Sequence, residues 1–100
     1  MLKNVTGHCQ YRLALCFDSG EVIPRSPVEA FKHFQQAADL DHAVASYRMA
    51  RYYEFGIEGM VERDFHRAVE YYRVSADQGY TLAQFKLALC FHQGLGVQKD

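Results

Sequence analysis

The sequence has no excess of either charge and no long apolar run. Lysine and arginine number 11, aspartate and glutamate number 12, and the formal net charge is −1. A protein that binds nucleic acid needs a basic face and usually has a raised pI, so this balance argues against a nucleic-acid partner. No stretch reaches the roughly 18 apolar residues of a membrane-spanning helix. Residues 1–7 (MLKNVTG) also lack the apolar core of a signal peptide, so we expect no membrane insertion by this segment.

Motifs for catalysis and for binding a metal or a nucleotide are also missing. The five histidines never fall into H-E-x-x-H or another paired ligand spacing, and we interpret them as separate surface or turn residues. G-x-S-x-G, a phosphate-binding loop, a dinucleotide fingerprint and S-x-x-K do not occur. The sequence therefore predicts a protein that is not an enzyme, with no catalytic residue, no cofactor and no metal.

Cysteine is scarce. Cys9, Cys16 and Cys90 are odd in number and show no C-x-x-C spacing. This pattern favours free, buried thiols over a disulfide framework. Free thiols are typical of a reducing compartment, so we favour the cytoplasm, although no residue identifies the compartment.

What the sequence does contain is helical periodicity interrupted by glycine. Residues 45–55 and 65–76 carry apolar side chains at helical spacing. Gly56 and Gly79 follow the two blocks, in the place where a left-handed residue ends a helix. The two blocks therefore predict a helical hairpin in which each helix buries its apolar side against the other.

The same hairpin pattern occurs before and after this pair. A shift of 36 places aligns residues 11–14 (YRLA) with residues 47–50 (YRMA), and a shift of 38 places aligns the latter with residues 85–88 (FKLA). Gly20, Gly56 and Gly94 then coincide. Self-similarity at a period of about 20 to 50 residues is typical of a solenoid, in which neighbouring repeats stabilise one another.

The repeated pattern, small-x-Y-x-L-small-x-x-Y-x-x-G-x-G-V-x-x-D and then A-x-x-Y-x-x-A-A-x-x-G, resembles the Sel1-like repeat, a relative of the tetratricopeptide repeat. Residues 83–100 match most closely and residues 45–79 most completely. Residues 9–41 match more loosely, because E-V-I-P-R-S replaces the G-x-G-V connector and Asp41 stands where Gly79 would be. The resemblance implies an all-α fold: an α/α solenoid of antiparallel helix hairpins that forms a right-handed superhelix, with the odd-numbered helices inside.

The organisation along the chain follows from this alignment. Residues 1–7 are expected to form an extended lead-in, and the repeats to cover about 8–42, 43–80 and 81–100. Ser26, followed by proline, and Asp64 are predicted to cap the second and fourth helices. Asp100 falls at the same cap position. We therefore expect about two and a half repeats of a longer protein, with a fifth helix whose uncovered face allows self-association.

Two sets of side chains recur at one place in the first helix of each repeat. Arg12, Arg48 and Lys86 share one position, and Tyr11, Tyr47 and Phe85 share the one before it. Equal positions in a solenoid stack into a stripe, which predicts either a solvated helix face or a docking strip for an acidic peptide with aromatic anchors. The candidate partner-binding residues are Tyr11, Arg12, Tyr47, Arg48, Arg51, Phe85 and Lys86.

The resemblance implies a non-catalytic protein–protein interaction scaffold or adaptor that binds a protein or peptide segment on its concave face. Two alternatives stay open at this point. Some bacterial Sel1-like proteins are linked to β-lactam hydrolysis, so a β-lactamase-like hydrolase is the first. The second is a regulatory segment of a larger enzyme.

Overall fold

The structure is a computed structural model that describes residues 2–20 and 26–94, with side chains from Thr6 onward. The described part of the chain forms an all-α fold of five helices, as predicted. Its only pairing of extended backbone is an isolated antiparallel bridge between Ile57 and Val61. The helices are α1 (Leu2–Ser19), α2 (Pro27–Asp39), α3 (Ala43–Phe55), α4 (Phe65–Asp77) and α5 (Thr81–Gln93).

Each helix packs mainly against the helices next to it in sequence. Contacts are most extensive within the pairs α1/α2 and α3/α4, and the α2/α3 and α4/α5 contacts join one pair to the next. The molecule measures 43 × 36 × 18 Å along its principal axes. A flat layer built from contacts between sequence neighbours is the arrangement of a solenoid, in which no helix reaches a distant part of the chain.

The core consists of two clusters that correspond to two successive repeats. Phe34 and Met49 are fully buried in the first cluster, and Tyr72 is fully buried in the second. Alanines fill much of the remaining interior, including Ala14 and Ala50, both with no exposed surface. Small side chains at these positions let the helices approach closely, so one large aromatic ring from each repeat fills the space between them.

The predicted helix starts are confirmed for α2 and α4. The Ser26 Oγ accepts a hydrogen bond from the Glu29 amide at 3.3 Å, and the Asp64 Oδ1 accepts one from the Arg67 amide at 3.2 Å. Each cap satisfies an amide that has no partner within its own helix. The corresponding prediction for Asp100 lies outside the described residues.

Glycine ends α3 and α5, as the repeat pattern predicted. Gly56 has φ 70° and Gly94 has φ 72°, and their amides donate to the carbonyls of Tyr52 and Cys90. After each first helix, the chain also returns to it through a backbone bond. The Ser26 amide donates to the Phe17 carbonyl at 2.9 Å, and the Asp64 amide donates to the Tyr53 carbonyl at 2.8 Å. The two connectors therefore fasten to equivalent points.

The expectation of an extended lead-in over residues 1–7 is wrong, because α1 already begins at Leu2. Gly7 lies inside this helix and is buried against the turn that follows α2. A Cβ at Gly7 would lie 3.3 Å from the Leu40 Cβ. Glycine favours a helix poorly by itself, so we attribute the longer helix to this packing against Leu40, which the local sequence does not reveal.

The cysteine prediction is confirmed in one respect and wrong in another. All three cysteines are free thiols. Cys90 is buried and Cys16 is partly buried, but Cys9 is exposed on α1. The side of α1 that carries Cys9 is therefore solvent-facing, whereas the equivalent Ala45 and Ala83 are fully buried.

Candidate protein-binding surface

An exposed aromatic ring with two cations near it lies where α3 and α5 meet. The Phe55 side chain is 57% exposed at the end of α3. The Arg51 guanidinium carbon and the Lys86 Nζ each lie 5.7 Å from the centroid of its ring. Arg51 precedes Phe55 by one helical turn, and Lys86 reaches the ring from α5. We call Arg48, Arg51, Phe55, Phe85 and Lys86 the α3–α5 surface.

A carboxylate beneath this surface fixes the position of Lys86. The Glu54 Oε2 lies 3.6 Å from the Lys86 Nζ, and the Tyr72 hydroxyl donates to the Glu54 Oε1. The side chains of Lys86 and Glu54 are only 26% and 15% exposed. Burial, followed by the hydrogen bond to Glu54, raises the pKa of Tyr72 well above its ordinary value. The hydroxyl therefore keeps its proton and its bond to Glu54, and the network joins α3, α4 and α5.

Cys90 lies at the edge of the same network. Burial, followed by the charge of Glu54, raises the pKa of the Cys90 thiol above its ordinary value. A thiol is nucleophilic only as the thiolate, so this environment disfavours nucleophilic chemistry at Cys90.

A shallow cavity of about 190 Å³ adjoins the exposed ring on α3. The Arg48 guanidinium, which lines it, lies 5.7 Å from the centroid of the buried Phe34 ring. The cavity is lined by Arg48, Arg51, Tyr52, Phe55, Gly56 and Ile57.

The structure separates the candidate residues into those available to a partner and those that are not. Phe85 is 61% exposed, and Arg12 and Arg51 are exposed. Tyr11 is partly buried, stacking on His42 with a centroid distance of 4.5 Å. Tyr47 is 9% exposed.

The pattern predicts that Tyr47 lies partly in the core and partly on the inner surface, and the structure places it in the core. Its ring packs against Tyr72, with centroids 5.6 Å apart, and edge-on against Tyr80, with centroids 5.2 Å apart. Both covering rings come from elements that follow α3 in the chain. Tyr47 belongs to the core.

Phe55 and Glu54 were not among the candidates predicted from sequence. The helical spacing of apolar residues over 45–55 predicts that Phe55 packs against a neighbouring helix, but its ring is exposed. The repeat alignment contained a signal, because the positions equivalent to Phe55 are Ser19 and Gln93, both polar. A polar position in neighbouring repeats indicates a solvent-facing site.

The interpretation of the histidines as separate residues is wrong for two of them. The rings of His8 and His42 stack with centroids 5.5 Å apart. His33, on α2, has its Nδ1 2.6 Å from the Gln10 Oε1, and its ring is nearly parallel to that of Phe17. Within residues 2–20 and 26–94, no group of three or more histidine, cysteine, aspartate or glutamate side chains could hold a metal ion.

A second aromatic–cation contact lies on the other side of α3. The Tyr53 and Tyr71 rings stack with centroids 5.8 Å apart, and the Arg67 guanidinium carbon lies 5.5 Å from the Tyr53 centroid. Arg67 also pairs with Asp64 at 3.6 Å, so its charge is balanced locally. This contact offers a comparison for tests of the α3–α5 surface.

Among the helices that the structure describes, none is both long enough and apolar enough to cross a membrane.

Comparison with known proteins identifies a family and relatives that match most of the chain. The family model described as Sel1 repeat matches residues 7–42, 43–80 and 81–100. Chitin synthase regulatory factor 2 of Schizosaccharomyces pombe is 30% identical over 92 residues, which are 90% of this chain and 18% of that protein. DAP3-binding cell death enhancer 1 of Rattus norvegicus is 32% identical over 72 residues, which are 72% of this chain and 13% of that protein. The chain thus spans less than a fifth of the length of these relatives.

Solved structures share the fold. A Sel1 repeat protein from Oxalobacter formigenes superposes with a TM-score of 0.86 at 24% identity, covering 94% of this chain and 69% of that one. The protective antigen c5321 of uropathogenic Escherichia coli superposes with a TM-score of 0.67 at 23% identity, covering 94% of this chain and 27% of that one. The arrangement of the helices is therefore that of a Sel1-type solenoid.

Proposed function

Because the chain belongs to the Sel1 repeat family, whose members generally mediate protein–protein interactions, we propose that it is a non-catalytic scaffold or adaptor module. In this proposal it binds an acidic segment of a partner protein through the α3–α5 surface, on the concave side of the solenoid. The observation that carries the proposal is Phe55, an aromatic side chain 57% exposed with two cations 5.7 Å from its ring centroid.

The charges of the surface favour an acidic partner. Arg48, Arg51 and Lys86 contribute three cations, and Glu54 contributes one carboxylate that is already paired with Lys86. Arg51 is exposed, so its guanidinium has donors available for a carboxylate. A partner with one aromatic or branched side chain among acidic residues would cover Phe55 and pair with Arg51 at the same time.

Phe85 extends the apolar part of the surface. It stands 61% exposed on α5, one residue before Lys86. Its equivalent Tyr47 is covered by two tyrosine rings, so the exposure of Phe85 is a property of the last described helix and not of the repeat position. We propose that a partner segment or a second copy of this chain covers Phe85 and Leu82, which is 51% exposed.

A peptide-binding measurement tests the proposal. The probe is a short fluorescein-labelled peptide with several glutamates around one phenylalanine, and a copy with lysine in place of glutamate is the charge control. We expect fluorescence anisotropy to detect binding of the acidic peptide alone, weakening as salt is raised. Phe55→Ser should weaken binding by roughly thirtyfold, the size of a hot-spot contact.

Two cation variants sharpen this test. Arg51→Gln should weaken binding by roughly threefold to tenfold. Arg67→Gln removes a cation that is also stacked on an aromatic ring, but on the far side of α3, and should leave binding unchanged. Equal affinity for both peptides, or full affinity of the Phe55→Ser protein, would overturn the proposal.

The positions of two serines bear on the first alternative, a hydrolase. A serine hydrolase needs an activated hydroxyl, whereas Ser26 caps α2, and Ser75 is fully buried and donates to the Ala43 carbonyl. A nitrocefin assay is the direct check, and we expect no turnover. A regulatory segment of a larger protein is compatible with the scaffold proposal, because one relative is named as a regulatory factor and this chain spans 18% of it.

A further inference from the structure

Two histidines from different repeats lie side by side where α1 meets the start of α3. The His8 and His42 rings are inclined by 23° with centroids 5.5 Å apart, and Tyr11 stacks on His42 at 4.5 Å. A cavity of about 250 Å³ opens beside the two imidazoles. It is lined by Gly7, His8, Leu40, Asp41, His42 and Ala43. We call the two rings the His8–His42 pair.

The hydrogen bonds of the pair determine where its protons lie. The Ala45 amide donates to the His42 Nδ1 at 3.2 Å, so this nitrogen carries no proton. A neutral His42 then carries its proton on Nε2, which lies 3.3 Å from the His8 Nδ1. The proton of His42 is donated to His8, so the His8 Nδ1 is also unprotonated. Both bonds exist only while both rings are neutral.

An additional proton on His42 breaks one of these bonds. On His42 it must go to Nδ1, which ends the cap of α3 and places a positive charge at a helix N-terminus, where the helix dipole disfavours it. The bond from the Ala45 amide, and with it the cap at the start of α3, is then lost.

The groups that face His42 from α1 and α3 carry no negative charge. From α1, His8 and Tyr11 face it, and the ring of Phe34 from α2 lies 5.9 Å from that of Tyr11. Asp41 precedes His42 and lies exposed at the cavity. From α3, the Ala45 amide points its positive end at the ring. Of the titratable groups, His8 is the one whose charge acts on His42.

We propose that the His8–His42 pair makes the cap of α3 proton-sensitive: the cap holds near neutral pH and is lost when His42 takes up an additional proton. This inference does not depend on the proposed peptide binding. It concerns how firmly the start of α3, the first helix of the second repeat, is held.

The direction of the pH dependence follows from His42. Burial, and then the charge of His8, lowers the pKa of His42 below its ordinary value. The unfolded chain therefore binds more protons than the folded protein between that lowered value and about pH 6.5, the ordinary value for histidine. The stabilisation is complete above about pH 6.5 and is lost as the pH falls through the folded pKa of His42.

Urea denaturation of the 100-residue chain tests the contact. From about pH 7.5 to about pH 5.5, in EDTA, we expect the midpoint to fall by roughly 0.5 M, the loss of one helix cap. His42→Asn keeps a capping side chain that does not titrate, so its midpoint should change much less over the same range. His66→Asn removes an exposed histidine of α4 and should behave like the unsubstituted protein.

A second measurement keeps the inference testable if His42→Asn fails to fold. In an NMR titration of the unsubstituted protein, the Ala45 amide should shift with the same midpoint as the His42 ring, because the proton and the amide compete for one nitrogen. A constant urea midpoint across this pH range would overturn the inference. An unchanged pH dependence in His42→Asn, or an Ala45 amide that does not follow the His42 titration, would do the same.

Discussion

The two turns that join successive repeats have the same backbone and different side chains. In the first, the His42 amide donates to the Ala37 carbonyl at 3.1 Å, and in the second the equivalent Tyr80 amide donates to the Ser75 carbonyl at 3.2 Å. The residue before each has positive φ: 62° at Asp41 and 90° at Gly79. The repeat thus determines the path of the chain through each turn.

What differs is how the side chains use this common turn. His42 caps α3 with its ring nitrogen, whereas Tyr80 makes no side-chain cap for α5. Each nonetheless packs on the aromatic residue that recurs in the preceding first helix, His42 on Tyr11 and Tyr80 on Tyr47. The comparison teaches that the packing role of the position is fixed while its chemistry varies, because a histidine occupies it in the first turn and a tyrosine in the second.

The largest loss of stability is expected at the buried aromatic ring behind each turn. Phe34 and Tyr72 are equivalent, fully buried rings, one behind each turn. Phe34→Ala and Tyr72→Ala should each lower the free energy of unfolding by about 3–5 kcal/mol, through lost burial and a cavity. Urea denaturation measures both, and Phe85→Ala, on an exposed ring, should cost much less. A cost confined to one of the two would mean that the repeats are not energetically equivalent.

Smaller losses of stability are expected at two glycines with positive φ. Comparing them separates the cost of backbone strain from the cost of crowding an added Cβ. Gly56 and Gly79 both have positive φ, but a Cβ at Gly56 would lie 3.1 Å from the Val61 carbonyl oxygen, while a Cβ at Gly79 meets nothing within 4 Å. Gly79→Ala should therefore cost about 1 kcal/mol of unfolding free energy, from φ alone, and Gly56→Ala about 2 kcal/mol or more. Thermal or urea unfolding of the two variants decides this. Equal costs would show that the connector after Gly56 moves aside.

The three cations that share one position in the first helices of the repeats should also differ in how much they stabilise the fold. Lys86 pairs with Glu54, whose carboxylate is 15% exposed, so Lys86→Gln should cost about 1 kcal/mol of unfolding free energy. Arg48 stacks on Phe34, and Arg48→Gln should cost about 0.5 kcal/mol. Arg12 is exposed, and Arg12→Gln should change the stability little. Three equal costs in chemical denaturation would contradict this ranking.

The smallest change in stability is expected from a variant that alters the pKa of His42. His8→Val places in the first repeat the residue found at the equivalent Val44. The variant removes the second cause of the lowered His42 pKa and leaves the first, burial. We therefore expect a reduced but still measurable loss of stability as the pH falls below about 6.5, from urea midpoints at several pH values. A pH dependence larger than that of the unsubstituted protein would show that His8 stabilises the protonated ring.

The features predicted correctly from the sequence are those determined by nearby residues. Ser26 and Asp64 cap their helices because the cap bond spans three residues, and Gly56 ends α3 because the backbone there has positive φ. The repeat alignment extends these local rules along the chain, so the order of the five helices in the described ranges could be derived without a structure.

The features that were missed depend on contacts between repeats. Gly7 of α1 packs against Leu40, and the burial of Tyr47 depends on two rings from later elements. The His8–His42 pair joins residues 34 positions apart, and no motif spacing identifies such a pair. Phe55 is the exception, because comparing its equivalents in the other repeats would have shown a solvent-facing position.

The bonds from Ser26 and Asp64 back to the first helices have a consequence for how such a chain can be lengthened. Residues 21–25 are two fewer than residues 57–63, yet Ser26 and Asp64 bond to equivalent carbonyls. Closing a longer loop between fixed ends costs only about 0.6 kcal/mol for each doubling of its length. A foreign peptide or an additional small domain inserted between Gly56 and Asp64 would thus be displayed at the edge of the molecule without altering the spacing of its helices.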